Sequence, residues 1–415
     1  IVFLVEIFTP TFVYLIAPGF TEETIKFDLA VALTRITFPF LFFVSLSSFF
    51  SGILNTNNKF AAAAAAPIIL NIFLILSLVI SNLLDLNFEI NLSYAVSLAG
   101  FFQLIFLIFC TKRYYKPSIN FKIKISTKVK FFLKKLLPSI FSSGVTQINI
   151  FVGTIIASFE AGAISYLYYA DRIYQINLAI AGIAIGTVAL PELTKNIKIG
   201  NIANTMSIQN KSLELCLLFS LPACFGLIIA SEEIINALFG YGSFSEKNVV
   251  LTAKALKYFG YGVPAFALIK VLSNFLFARD NTKVPFYVSA FIVFLNILIS
   301  LIYFKEVGFV IIPIATSTST WIGVVVYLVL LVKFKHLSFE SSLFVNLLKI
   351  LISLTIMTLA LYYFINFFED KLIYNNYYKS IYLIMIIILA AGIYLLLARL
   401  LGVFKLKNFI TNKNE

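Results

Sequence analysis

From Phe60 to Leu84 the chain runs for twenty-five residues without a charged side chain, opening on Ala61–Ala66. At ~1.5 Å of rise per residue, a helix of that length outruns the ~30 Å hydrocarbon core of a bilayer. Twelve apolar segments of spanning or near-spanning length follow one another: roughly 1–18, 33–54, 61–84, 92–111, 136–158, 163–190, 212–231, 255–278, 284–304, 308–332, 344–368 and 380–402. Hydrocarbon offers no water to satisfy backbone N–H and C=O groups, so such segments are helices or the strands of a closed barrel. Their length and their lack of two-residue alternation exclude the barrel. The expected fold class is therefore an all-α polytopic membrane protein. Composition agrees, with 60% hydrophobic and 12% charged residues, against ~25% charged in an ordinary soluble domain.

The charges that remain alternate along the connections. Loops carrying Lys59, Lys112–Lys135, Lys195–Lys211, Arg279–Lys283, Lys333–Lys335 and Arg399–Lys413 hold twenty-one Lys and Arg, whereas the intervening set, from Lys26 to Lys379, holds seven. By the positive-inside rule the first set is cytoplasmic and so is the C-terminus. The net charge of +13 is then mostly a topological signal. A basic loop drawn to anionic inner-leaflet lipid accounts for Lys112–Lys135, and no nucleic-acid partner is expected. Cys110, Cys216 and Cys224 lie in or beside apolar runs without ligand spacing, so neither a disulfide framework, a metal site nor any other cofactor is expected.

Residues 33–76 repeat at 258–301, an offset of 225. Pro39 falls on Pro264, Phe50 on Phe275, and Leu70-Asn71-Ile72 on Leu295-Asn296-Ile297. The offset covers six segments, so the repeat is parallel, a design shared by many transporters. Partners of 136–190 would lie upstream of Ile1. The chain is accordingly expected to be an N-terminally truncated piece, holding twelve transmembrane helices of fourteen. The fourteen would form two pseudo-repeated six-helix lobes plus two C-terminal helices. In domain terms, 1–111 is the remainder of an N-terminal lobe, 112–135 a basic cytoplasmic linker, 136–332 a C-terminal lobe, and 333–415 the last two helices and tail.

One apolar segment carries charge near its middle. Tyr168-Tyr169-Ala170-Asp171-Arg172-Ile173-Tyr174 places a carboxylate and a guanidinium about ten residues into 163–190. An arginine at the bilayer centre costs ~2.5–3.5 kcal/mol on insertion scales and faces protein or a water-filled cavity. A planar guanidinium fork matches two phosphate oxygens, so Arg172 is a candidate ligand for a diphosphate; a structural ion pair or a cap on a broken helix is the alternative. Asp171 points about 100° away and is expected to tie this helix to another or to gate a cavity. Lys270 is the second candidate cation, with snorkelling to the cytoplasmic interface as its alternative.

Several stretches resemble the MurJ (MviN) lipid II flippase family. They are Pro138-Ser139-Ile140 with Gln147-Ile148-Asn149, Ser165 through Arg172, Gly186-Thr187-Val188-Ala189-Leu190-Pro191, Arg35-Ile36-Thr37-Phe38-Pro39, and Lys270-Val271-Leu272 followed by Phe277-Ala278-Arg279. The resemblance implies the multidrug/oligosaccharidyl-lipid/polysaccharide exporter fold. It implies a cationic central cavity for the diphosphate of lipid II and a groove beside the last two helices for its polyprenyl tail. The family's first two helices supply further cavity arginines and a carboxylate that this chain does not contain. Gln147 and Asn149 then become candidate sugar contacts or helix–helix hydrogen bonds, and Arg35 a candidate cavity cation or an interfacial anchor.

The function expected is a lipid II flippase working by alternating access in the bacterial inner membrane, as a monomer in contact with membrane lipid. The alternative is an exporter of another lipid-linked oligosaccharide, or of a drug or cation, in the same superfamily. An enzyme is not expected, since paired carboxylates and histidines are missing at membrane depth and a nucleophile would need a base beside it.

Overall fold

The computed structural model describes residues 2–115, 127, 129, 130 and 147–403, which are helical apart from caps and turns, with no strand among them. Most of the basic linker at 112–135, residues 136–146 of the fifth expected segment, and the tail lysines beyond Val403 lie outside the described residues. The chain divides into two compact units, Ile1–Pro138 and Ser139–Glu415.

In the first unit the helices are α1 (Val2–Ile7), α2 (Thr9–Ile16), α3 (Thr24–Thr37), α4 (Pro39–Thr56), α5 (Phe60–Leu83) and α6 (Phe88–Thr111). The expected segment 1–18 is thus two short helices rather than one span. Pro10 has no N–H to give the Glu6 carbonyl, and the Thr9 hydroxyl donates to that oxygen at 2.9 Å instead. Proline also sets the next break. Pro39 opens α4 directly after Phe38, and the Ile36 carbonyl is taken by the Ser97 hydroxyl of α6. Gly100, one turn beyond Ser97, lies under the Phe40 ring, where a Cβ would stand only 2.6 Å from the ring edge.

The second unit contains α7 (Gln147–Ala157), α8 (Ala163–Leu178), α9 (Ile185–Ile199), α10 (Ile202–Ile229) and α11 (Ser231–Phe239). These are followed by α12 (Glu246–Phe277), α13 (Lys283–Val307), α14 (Ile311–Lys333), α15 (Ser341–Phe367), α16 (Glu369–Leu372) and α17 (Lys379–Leu400). A π-helical stretch, Ala179–Ala184, joins α8 to α9. The unit is built around α12, which packs against α8, α10, α11 and α14. Ala253, Ala255, Ala265 and Ala267 on α12 are buried, and side chains that small let neighbouring backbones approach closely.

Among the described residues, eight stretches are long and apolar enough to cross a membrane. One of them, Lys283–Lys333, is a pair of helices, α13 and α14, that pack on each other and are joined at Gly308 with φ +72°. Both copies of the repeat fold as helix, turn, helix, and both turns close in the same way. Asn58 and Asp280 take positive φ, and the following N–H groups of Lys59 and Asn281 reach back to Leu54 O at 2.9 Å and Leu276 O at 3.0 Å. The matched prolines differ, since Pro39 starts a helix and Pro264 lies inside α12. So do the asparagines. Asn71 is exposed, whereas Asn296 is buried and donates to Thr316 Oγ1 at 3.0 Å.

Candidate functional site: an exposed guanidinium, a lysine-bearing cavity and an apolar groove

Helix α8 turns Ala163, Ala170 and Ile173 into the protein and stacks the Tyr174 ring on Phe259 of α12, with centroids 4.7 Å apart. That orientation leaves Tyr168, Arg172 and Gln175 exposed on the opposite side. Arg172 lies 4.7 Å from the centre of the Tyr168 ring one turn back, and it makes no ion pair among the described residues. An aromatic face holds a guanidinium in place while leaving its in-plane N–H donors open.

Asp171 departs from expectation. It accepts a hydrogen bond from Gln175 Nε2 of its own helix, with Tyr174 and Arg172 as its other polar neighbours, and among the described residues it does not tie α8 to another helix.

Lys270 lines a cavity of about 780 Å³ enclosed by α9 with the π-helical stretch, α12, α13 and α14. Its position follows from two close approaches. A Cβ on Gly182 would stand 3.1 Å from the Ala267 Cα, and one on Gly186 would stand 2.5 Å from Asn274 Nδ2. Small residues thus bring the π-helical stretch and α9 onto α12 just where Lys270 and Asn274 project. The other polar groups on the wall belong to Ser273, Thr282, Ser289 and Tyr327. Ser273 gives its hydroxyl to the Lys270 carbonyl at 2.9 Å, the others can donate as well as accept, and no carboxylate is among them, so the Lys270 ammonium makes the cavity suit an anion. The Lys270 ammonium forms no hydrogen bond or ion pair with the described residues.

A second hollow, of about 440 Å³, is almost wholly apolar. Ile176 of α8, Pro222 and Gly226 of α10, Met357 of α15, and Ala391 and Tyr394 of α17 line it. It lies beside the last two long helices.

The remaining predicted residues are apart from these. Gln147 is exposed and Asn149 half-buried on α7. Arg35 belongs to the other unit, where its Nε donates to Thr9 Oγ1 at 3.4 Å. Arg172 is not part of the Lys270 cavity wall. Sequence reasoning missed the companions of Lys270. Ser273 and Asn274 were within reach, three and four residues on along one helix face. Ser289 and Tyr327 come from other helices and only packing brings them in.

The family model described as "Lipid II flippase MurJ" matches residues 1–400. Two relatives named "Probable lipid II flippase MurJ" are 36% identical to this chain. That of Rickettsia prowazekii aligns over 381 residues, 91% of this chain and 74% of the relative. That of Rhizobium tropici aligns over 409 residues, 97% and 76% respectively. The solved structure "Lipid II flippase MurJ, inward closed conformation" superimposes with a TM-score of 0.79 at 29% identity, covering 96% of this chain and 79% of that one. With a match running from the first helices to the last and at this level of identity, the chain belongs to the MurJ family of lipid II flippases.

Proposed function

We infer that the chain moves lipid II from the cytoplasmic to the periplasmic leaflet of the bacterial inner membrane by alternating access, as a transporter and not as an enzyme. Lipid II carries a diphosphate, a disaccharide and a peptide on a long isoprenoid chain. Its head cannot cross hydrocarbon without a polar path, and its tail has no reason to leave an apolar one. The second unit offers both surfaces. Arg172 presents a guanidinium without an ion pair among the described residues for the diphosphate, Lys270 and the polar wall around it extend the anionic path, and the apolar groove between α8, α10, α15 and α17 takes the tail. Asp171, Gln147, Asn149 and Arg35 are further candidate contacts for the head group.

The observation that carries this reading is Arg172, exposed in mid-helix against the face of Tyr168 and without an ion pair among the described residues. A drug or cation exporter would need acids where this unit presents Arg172 and Lys270. In the same reading the transmembrane helices form two lobes plus a C-terminal pair. Residues 1–111, 112–135, 136–332 and 333–415 are its parts, the C-terminus is cytoplasmic and the protein acts as a monomer. Orientation is tested with single cysteines. Those in Lys112–Lys135 should be shielded from an impermeant thiol reagent in intact cells, and those in Leu86–Asn91 should react.

The complete gene product carrying Arg172→Ala should insert and fold normally yet fail to support cells depleted of their own lipid II flippase. Loss of a charge-assisted, bidentate contact is worth ~1.5–3 kcal/mol, a fall of roughly 10- to 100-fold in flipping. Arg172→Lys should restore part of it, since a point charge keeps the attraction and loses the fork. Normal flipping by a stable Arg172→Ala protein would remove Arg172 from the site.

A further inference from the structure

Lys379 opens α17 and is only 1% exposed. Its ammonium group donates to Asn236 Oδ1 at 2.9 Å, Gly240 O at 2.6 Å and Tyr374 O at 2.7 Å. Those three acceptors use all three N–H donors. The rings of Tyr241 and Tyr374 lie 4.2 and 4.7 Å from the nitrogen. No carboxylate pairs with it among the described residues. The charge is held instead by the tyrosine faces and by the C-terminal end of α11, which finishes at Phe239 just before Gly240 and presents the negative pole of its dipole. Neighbouring contacts join the same two segments. Ser380 Oγ donates to Ala237 O at 2.7 Å, and Asn236 Nδ2 donates to Leu372 O at 2.8 Å.

A second attachment lies about four turns along α17. Pro222 lacks the N–H that would serve Leu218 O within α10, and the buried Tyr394 hydroxyl donates to that carbonyl at 2.7 Å. The apolar groove lies beside the stretch of α17 that these attachments bound, with Ile387, Ala390 and Ala391 on its wall and Tyr394 itself at the second point. One wall of the groove, α15 with α17, is thus fastened to the other, α10 with α11, by two polar contacts set in apolar packing.

We propose that Lys379, through α11, is a positioning residue which, together with Tyr394 bonded to α10, sets the separation of α17 from the α10–α11 wall and hence the width of the groove. That this groove takes the isoprenoid tail rests on the function proposed above; that Lys379 sets its width does not. The two are separable by experiment. Spin labels at Ala223 of α10 and Ala391 of α17, one on each wall, report the width in the chain reconstituted in lipid. Tail preference is read as the ratio of apparent affinities for lipid II bearing a full-length and a short isoprenoid. Lys379→Met should broaden and lengthen the distance distribution and lower the preference for the long tail about tenfold. It should change affinity for the short-tailed substrate less than twofold. Tyr394→Phe, which removes one oxygen and keeps the ring, should do the same to a smaller degree, and it keeps the test open if Lys379→Met fails to fold. Unchanged distances in folded Lys379→Met, or in Tyr394→Phe where the first does not fold, would overturn the positioning role. Altered distances with unchanged tail preference would uphold it and remove the tail from the groove.

Discussion

Lys270 and Lys379 are the same chemical group on helices of the same unit, and the protein treats them oppositely. The Lys379 ammonium is buried, with three acceptors and two aromatic faces around it. Lys270 is exposed on a wall of hydrogen-bond donors, with no partner among the described residues. A cation taken out of bulk water is costly, so the presence or absence of partners decides what it is for. Where the protein supplies every acceptor, the group holds helices together and has nothing left to bind. Where it supplies none, the group is available to an anion. Arg172 belongs with Lys270, since a tyrosine face fixes its position without using its N–H donors.

The comparison is broken most directly by the same substitution at both lysines. Lys379→Met leaves buried carbonyl and amide oxygens without donors and should lower stability by about 3 kcal/mol, read as a clear fall in the thermal midpoint in detergent. Lys270→Met should leave that midpoint unchanged and lower lipid II flipping roughly tenfold, as loss of one charged hydrogen bond to a ligand does. Equal destabilisation by both would show that Lys270 is structural after all.

A smaller effect sharpens the account of the cavity. Gly186→Ala puts a methyl 2.5 Å from Asn274 Nδ2, and the amide must turn away from it. We expect a cost of about 1–2 kcal/mol from overpacking, and flipping that falls further than stability does. Gly186→Ala with Asn274→Ala should recover the stability and not the transport. Both are read from thermal midpoints and flipping rates of the purified variants.

The smallest effect concerns a cation outside the membrane. Arg279 in the turn after α12 donates to Phe275 O at 2.6 Å and His336 O at 3.0 Å, joining that turn to the one after α14. Burial, and then the Arg279 charge, push His336 below the ordinary histidine value. A base with a lowered folded pKa binds fewer protons folded than unfolded, so its contribution to stability is present above ~6.5 and is lost as pH falls toward the folded value. Solvent screens so shallow a site, and acidification from pH 7.5 to 5.5 should lower the melting midpoint by only about 1 °C more in the wild type than in His336→Gln. A difference of opposite sign would mean that the imidazole is stabilised as a cation.

Much of the fold was legible in the sequence. Runs such as Phe60–Leu84 must be helical because hydrocarbon leaves the backbone no other partner. The turns after Leu54 and Leu276 were marked by polar residues that tolerate positive φ. The Tyr168–Tyr174 core identified the family and singled out Arg172, because a charge at that depth is expensive enough to stand out. The breaks at Phe8 and Phe38 were less legible, although Pro10 and Pro39 stood beside them, because apolar composition alone does not register a missing N–H.

What only the tertiary structure decided is the use made of each polar side chain. By sequence Lys379 is one more charge in an outer loop, and it becomes a buried fastening because α11 ends beside it. Asp171 lay open to a partner on another helix, and instead Gln175 of its own helix fills that place. Asn71 and Asn296 occupy one register of a repeat, and among the described residues only the second meets a side-chain partner, because Thr316 of α14 packs over it. A sequence records that a group must pay for leaving water. Whether the protein or a ligand supplies the compensating partner is set by which helices come into contact, and those contacts join residues far apart in the chain.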